Sequence, residues 1–105
     1  MFAAAMIFTV LPCGLVNVEG LTQYSTVSLG AGHSGAIKNG GSLWMWGNNC
    51  VGQIGNGNCE DSAVPVKIMD NVTSISTSDV SLPGFICSAA IRTDGSLWMW
   101  GGRLL

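Results

Sequence analysis

The stretch GGSLWMWG at Gly40–Gly47 returns as DGSLWMWG at Asp94–Gly101, an offset of 54 residues. In extended backbone, side chains alternate between two faces, so Leu43 and Met45 point one way while Trp44 and Trp46 point the other. Both faces are then apolar, the pattern of a strand covered on both sides. Burying each of these side chains is worth about 1.5–3 kcal/mol, a gain that one isolated sheet cannot realise. A helix is excluded, because the flanking glycines are separated by only five residues. An aromatic ligand platform is the other reading of the tryptophans, but the Leu/Met face kept in both copies favours packing against a neighbour.

The identity extends upstream. GHSGAIKNGGSLWMWG (Gly32–Gly47) lies over ICSAAIRTDGSLWMWG (Ile86–Gly101) without a gap, and Gly30 falls on Gly84. Ser34 meets Ser88, Ala36 meets Ala90, Ile37 meets Ile91 and Lys38 meets Arg92, whereas His33 falls opposite Cys87. Repetition at such a period marks a propeller blade or a solenoid unit rather than two separate domains. The turns NGG and TDG supply residues that tolerate positive φ, as tight hairpins require. Downstream, glycines 52, 55 and 57 imply a compact loop, Pro65 opens an outer strand over Val66–Met69, and a strand follows over Val72–Ser76. Pro65 suits an edge, where its missing N–H breaks no ladder. Residues 27–77 therefore supply about four strands, one blade's worth.

Composition narrows the function classes. Only 10% of the 105 residues are charged and fifteen are glycine, which argues against both a disordered chain and a helical bundle. A net charge of −2 leaves no basic field for nucleic acid. The run MFAAAMIFTVL is too short to span a bilayer as a helix, which needs about 20 residues. It has the length of a secretory apolar region, with small residues near Val18–Gly20 at a cleavage point, although no positive charge precedes it. Residues 1–20 are thus expected to be a signal-like segment, the alternative being a buried first element. Residues 21–105 then hold the repeats, the first at about 27–80 and a partial second at about 81–102. Cys50 and Cys59 flank a glycine-rich loop and form a candidate disulfide; closing that loop would stabilise by about 2.5–3 kcal/mol. With a single histidine and no Cys-x-x-Cys, no metal or cofactor site is expected.

The order GAGHSGAI, GGSLWMWG, then WGNN followed by GQIGNG resembles the repeat of the regulator of chromosome condensation family. That signature falls here on Gly30, His33, Ser34, Trp46, Gly47, Asn49, Gly52, Gln53, Gly55 and Gly57, with Trp100 and Gly101 in the second copy. The resemblance covers residues 26–102. It implies an all-β fold, a fragment of a β-propeller with about one complete four-stranded blade plus most of a second. About three repeats are generally needed for stability, so further blades, or self-association to supply them, are expected.

Catalysis has little foothold. His33 and Ser34 are adjacent in a strand and point to opposite faces, so they cannot pair as base and nucleophile. A structural hydrogen bond within the blade is expected for His33, and a solvated turn for Glu60 and Asp61. GQIGNGN lacks the Lys-Ser/Thr ending of a phosphate cradle. The resemblance implies two roles: guanine-nucleotide exchange on a small GTPase, as in the founding member, or protein binding by secreted, bacterial-type propellers. The apolar start, the sparse charge and the loop cysteines favour a non-catalytic, secreted or cell-surface scaffold with protein partners. Nucleotide exchange in the cytoplasm, or a stub without independent function, is the alternative.

Overall fold

Seven strands, each following from a short run of β-branched, small or aromatic residues closed by a turn, make up a computed structural model that describes residues 23–78 and 85–103. The signal-like segment 1–20 lies outside the described residues. Strands β1 (Tyr24–Leu29), β2 (His33–Lys38), β3 (Leu43–Gly47) and β4 (Ser62–Met69) form an antiparallel sheet in that order. Strands β5 (Val72–Thr77), β6 (Phe85–Arg92) and β7 (Leu97–Arg103) form a second. The two sheets pack face to face as successive blades of a β-propeller.

The repeat holds at the level of single hydrogen bonds. Lys38 N–H donates to the Ser42 carbonyl at 2.9 Å, and Arg92 N–H to that of Ser96 at 3.0 Å. The Trp44 indole donates to Ser42 Oγ at 3.0 Å, and the Trp98 indole to Ser96 Oγ at 2.9 Å. Even the irregularity recurs, since register slips between Tyr24 and Thr26 in β1 and between Val72 and Ser74 in β5. The cation at the end of the preceding strand also repeats: Lys38 Nζ stands 3.9 Å from the Trp44 ring centroid, and the Arg92 guanidinium 5.8 Å from that of Trp98.

Two expectations change. The strand over 72–76 does not complete the first blade; as β5 it pairs with β6 and opens the second. The first blade instead begins with β1, whose partner is β2. The physical reason is that the tight Asp70–Asn71 turn, with Asn71 at φ 61°, hands the chain from the outer edge of one sheet to the next. Pro65 does lie in an edge strand, because β4 pairs only with β3, and its neighbourhood is the irregular stretch between Val66 and Ser62.

The second change concerns which face meets which, since the sequence leads one to expect Trp98 and Trp100 to face a following blade. Leu43 and Met45 are wholly buried, together with Ile37, Val72, Ile75 and Ala90, between the two sheets. The face of the second sheet that covers them carries Ile75, Ala90 and Trp100. Trp100 thus turns back onto the first blade, while Leu97 and Met99 on the other face of β7 are 63% and 65% exposed.

Each Trp-Met-Trp run is followed by a glycine whose φ is above +100°, Gly47 and Gly101. A Cβ at Gly47 would stand 2.6 Å from the Gly32 carbonyl oxygen and 2.9 Å from His33 Cα, so β2 and β3 can close only around glycine. Gly40 shares the positive φ, but a Cβ there meets nothing within 4 Å. Gly40→Ala should therefore cost about 1 kcal/mol and Gly47→Ala about 3 kcal/mol, read as shifts in the urea midpoint. Equal losses would show that the close approach of β2 is unimportant.

Candidate functional site

The loop that follows β3, residues 48–61, gathers most of the polar residues singled out in the sequence. Its centre is Asn49, which has no exposed surface. The Asn49 amide donates to the carbonyls of Asn58 at 2.9 Å and Glu60 at 3.0 Å, with the side-chain oxygens of Asn56 and Asn58 also in reach. Its own side-chain oxygen accepts from Ile54 N–H at 2.9 Å, and its backbone N–H donates to Asp61 Oδ1 at 2.8 Å. Asp61 and the Glu60 backbone are therefore ties in the loop rather than a merely solvated turn. Only a short side chain carrying both a donor and an acceptor can serve these partners, which explains asparagine here.

Gln53 extends the network. Its Nε2 donates to Asn48 Oδ1 at 2.9 Å, and its Oε1 accepts from Val51 N–H at 3.0 Å. With its side chain held in this way, the Gln53 carbonyl points at the second sheet. There it accepts from Ser88 Oγ at 2.7 Å and from Trp100 Nε1 at 2.8 Å, so both lone pairs are used. Gly55 makes room for the indole, since a Cβ there would stand 2.7 Å from Trp100 Nε1. Ile54, fully buried, joins the core between the sheets.

His33 meets this network from β2. Its Nε2 lies 3.0 Å from Ser88 Oγ. The single hydroxyl proton of Ser88 goes to the Gln53 carbonyl, which can only accept, so His33 donates to Ser88 from Nε2. This corrects the expectation of a bond within one blade: the histidine joins two blades, because its strand face is the one the second sheet covers. Burial pushes the His33 pKa below its ordinary 6.5, and the Cys87 backbone, which favours the charged ring, offsets part of that shift. Ser34 lies on the opposite face, half-buried, away from this junction.

Gly30, Gly47, Gly52, Gly57 and Gly101 act through backbone geometry, and Trp46 is half-buried. Cys50 and Cys59, the candidate disulfide, stand as exposed free thiols, Cys50 directly after Asn49 and Cys59 directly after its partner Asn58. Sequence reasoning missed the role of Ser88; its identity with Ser34 across the repeat was the available signal. Among the described residues no helix is long and apolar enough to cross a membrane, and no group of side chains is arranged to hold a metal ion.

Ser88→Ala leaves the buried His33 N–H without an acceptor and should cost about 1–3 kcal/mol. The pH dependence follows from the lowered histidine pKa. The unfolded chain binds a proton as pH falls through about 6.5, before the folded chain does, so stability is full above that value and declines below it. The decline levels off below the folded pKa. His33→Gln should flatten the urea midpoint between pH 5.5 and 7.5 relative to the wild type; parallel profiles would exclude His33 as the titrating group.

Residues 40–82 match the Regulator of chromosome condensation (RCC1) repeat. The Ultraviolet-B receptor UVR8 of Arabidopsis thaliana is 35% identical over 95 residues, which is 90% of this chain and 20% of that protein. The mitochondrial RCC1 domain-containing protein RUG3 of Arabidopsis thaliana is 30% identical over 94 residues, 86% of this chain and 20% of the relative. The E3 ubiquitin-protein ligase HERC2 of Homo sapiens is 30% identical over 76 residues, 71% of this chain and 2% of the relative. The crystal structure of human WBSCR16 superposes with a TM-score of 0.69 at 26% identity, covering 83% of this chain and 22% of that one. The chain thus spans between 2% and 20% of the length of these curated relatives. With its repeated hairpins and the blade junction built on Asn49 and Gln53, the chain is similar to proteins with regulator of chromosome condensation repeats, and its residues 40–82 match that repeat.

Proposed function

We propose that the chain is a section of a non-catalytic propeller that binds protein partners, outside the cell or at its surface. The observation that carries this reading is the pair of apolar sheet faces at its two ends. Val27 and Leu29 are exposed on β1, and Ile91, Leu97 and Met99 are exposed on β6 and β7. Patches of this kind mark docking surfaces. The one histidine is buried and committed to Ser88, which withholds it from any substrate. Support also comes from the relatives, whose names include a receptor and a ubiquitin ligase. A protein-interaction or regulatory role for the repeat is compatible with both.

The export part rests on the apolar residues 1–20, which have the length of a secretory apolar region. Fusing residues 1–30 to a reporter without its own signal should deliver the reporter outside the cell; retention inside would remove that part. The non-catalytic part is tested with a panel of small GTPases loaded with fluorescent GDP. The full chain should leave nucleotide release unchanged, and accelerated release from any member would replace this reading with nucleotide exchange.

A further inference from the structure

We propose that Asn71 is a site of N-linked glycosylation, taking an oligosaccharide from a polyprenyl pyrophosphate donor in the secretory pathway. The motif is Asn71-Val72-Thr73, an asparagine with a hydroxyl residue two places on and no proline between them. It lies where the chain turns from β4 into β5. Asn71 and Thr73 are exposed, while Val72 between them is buried. The inference rests on the export reading above, because this acceptor motif is used in secreted chains.

The fold leaves the Asn71 carboxamide unused. Its backbone sits at φ 61°, which glycine or aspartate would also tolerate, so the turn accounts for the conformation and not for the amide. Its backbone carbonyl accepts from Thr93 N–H at 2.8 Å, but the side-chain amide forms no hydrogen bond among the described residues. Asn49 is the contrast, since its amide is fully buried and committed to the carbonyls of Asn58 and Glu60. Both lateral neighbours of Asn71 are in place. The first sheet approaches through Gly41, whose carbonyl accepts from Val72 N–H at 2.8 Å, and the second through Thr93. Asn71 is therefore exposed although both blades already flank it, and a bulky, solvated glycan fits there without displacing a packed side chain.

In the transfer, Asn71 Nδ2 bonds to the anomeric carbon of the sugar and gives up one proton. The bond from that carbon to the pyrophosphate oxygen breaks, and its electron pair leaves with the polyprenyl pyrophosphate. In the folded chain Thr73 Oγ1 donates to the Ile91 carbonyl at 3.1 Å, so the transfer that reads this hydroxyl precedes the pairing of β5 with β6. The register places Asn71 at the same end of the sheets as the hairpin turns, opposite the loop of residues 48–61. The glycan covers the turn end and leaves the loop end open.

The test uses two versions of the full chain in a secreting eukaryotic cell line, one with its own start and one preceded by a proven secretory signal. Both should give a heavier species that peptide N-glycosidase collapses to the protein mass, with mass spectrometry finding the resulting deamidation at position 71. Asn71→Asp keeps a residue that tolerates positive φ but has no amide, and Thr73→Ala keeps the amide but has no hydroxyl. Each should lose the heavier species, whereas Thr73→Ser should retain it. No heavier species in either version, or one that survives Asn71→Asp, overturns the site and leaves the export reading to its reporter test. A heavier species only behind the supplied signal overturns the export reading, and with it the use of this site in the natural chain.

Discussion

The carbonyl oxygen of Gln53 is the point on which the arrangement of the two sheets turns. It takes two hydrogen bonds from the second blade, one from a serine hydroxyl and one from an indole. A buried carbonyl with both lone pairs used holds its donors in direction as well as distance. Apolar burial alone could not do this, because contact between Leu43, Met45, Ile75 and Ala90 is non-directional. The hydrophobic contacts therefore drive the sheets together, while this one oxygen sets where they stop. The loop of residues 48–61 exists, in physical terms, to aim it.

That explains why so much polarity is buried in a loop. Asn49 spans the loop from Asp61 to Ile54, and Gln53 is held at both ends of its amide. Leaving any of these buried groups unpaired would cost more than a satisfied pair contributes, so the network is stable only when complete. His33 adds a donor to Ser88 and so reads the same junction from the first sheet.

The fold was largely legible from the repeat, because identical spacing demands identical hairpins. The Trp strands, their turns and the edge position of Pro65 all follow from local pattern. The boundary between blades was not legible, since Val72–Thr77 has the same strand character whichever sheet it joins, and only pairing decides. The direction of the Trp face was ambiguous for a related reason. Alternation says that Leu43 and Trp44 oppose each other, but with both faces apolar it does not say which neighbour each one meets. Of the junction, the glycines stood out because turns select them, and Asn49 through the resemblance to the repeat signature. Ser88 did not, because its recurrence at Ser34 marks the position but names no partner until the junction is known.

A junction built from unlike faces has a directional consequence. One side presents the loop carbonyl, the imidazole and a flat Ile/Leu/Met surface; the other presents a hydroxyl, an indole and Ile75. Neither side can satisfy itself, so two sides of the first kind brought together would bury polar groups without partners. Blades of this kind therefore add in one sense only, as heterologous contacts do. Cys87 in place of His33 makes the second sheet differ from the first at this ionisable position. The internal junction responds to pH through His33, and the matching position of the second sheet, Cys87, has no imidazole.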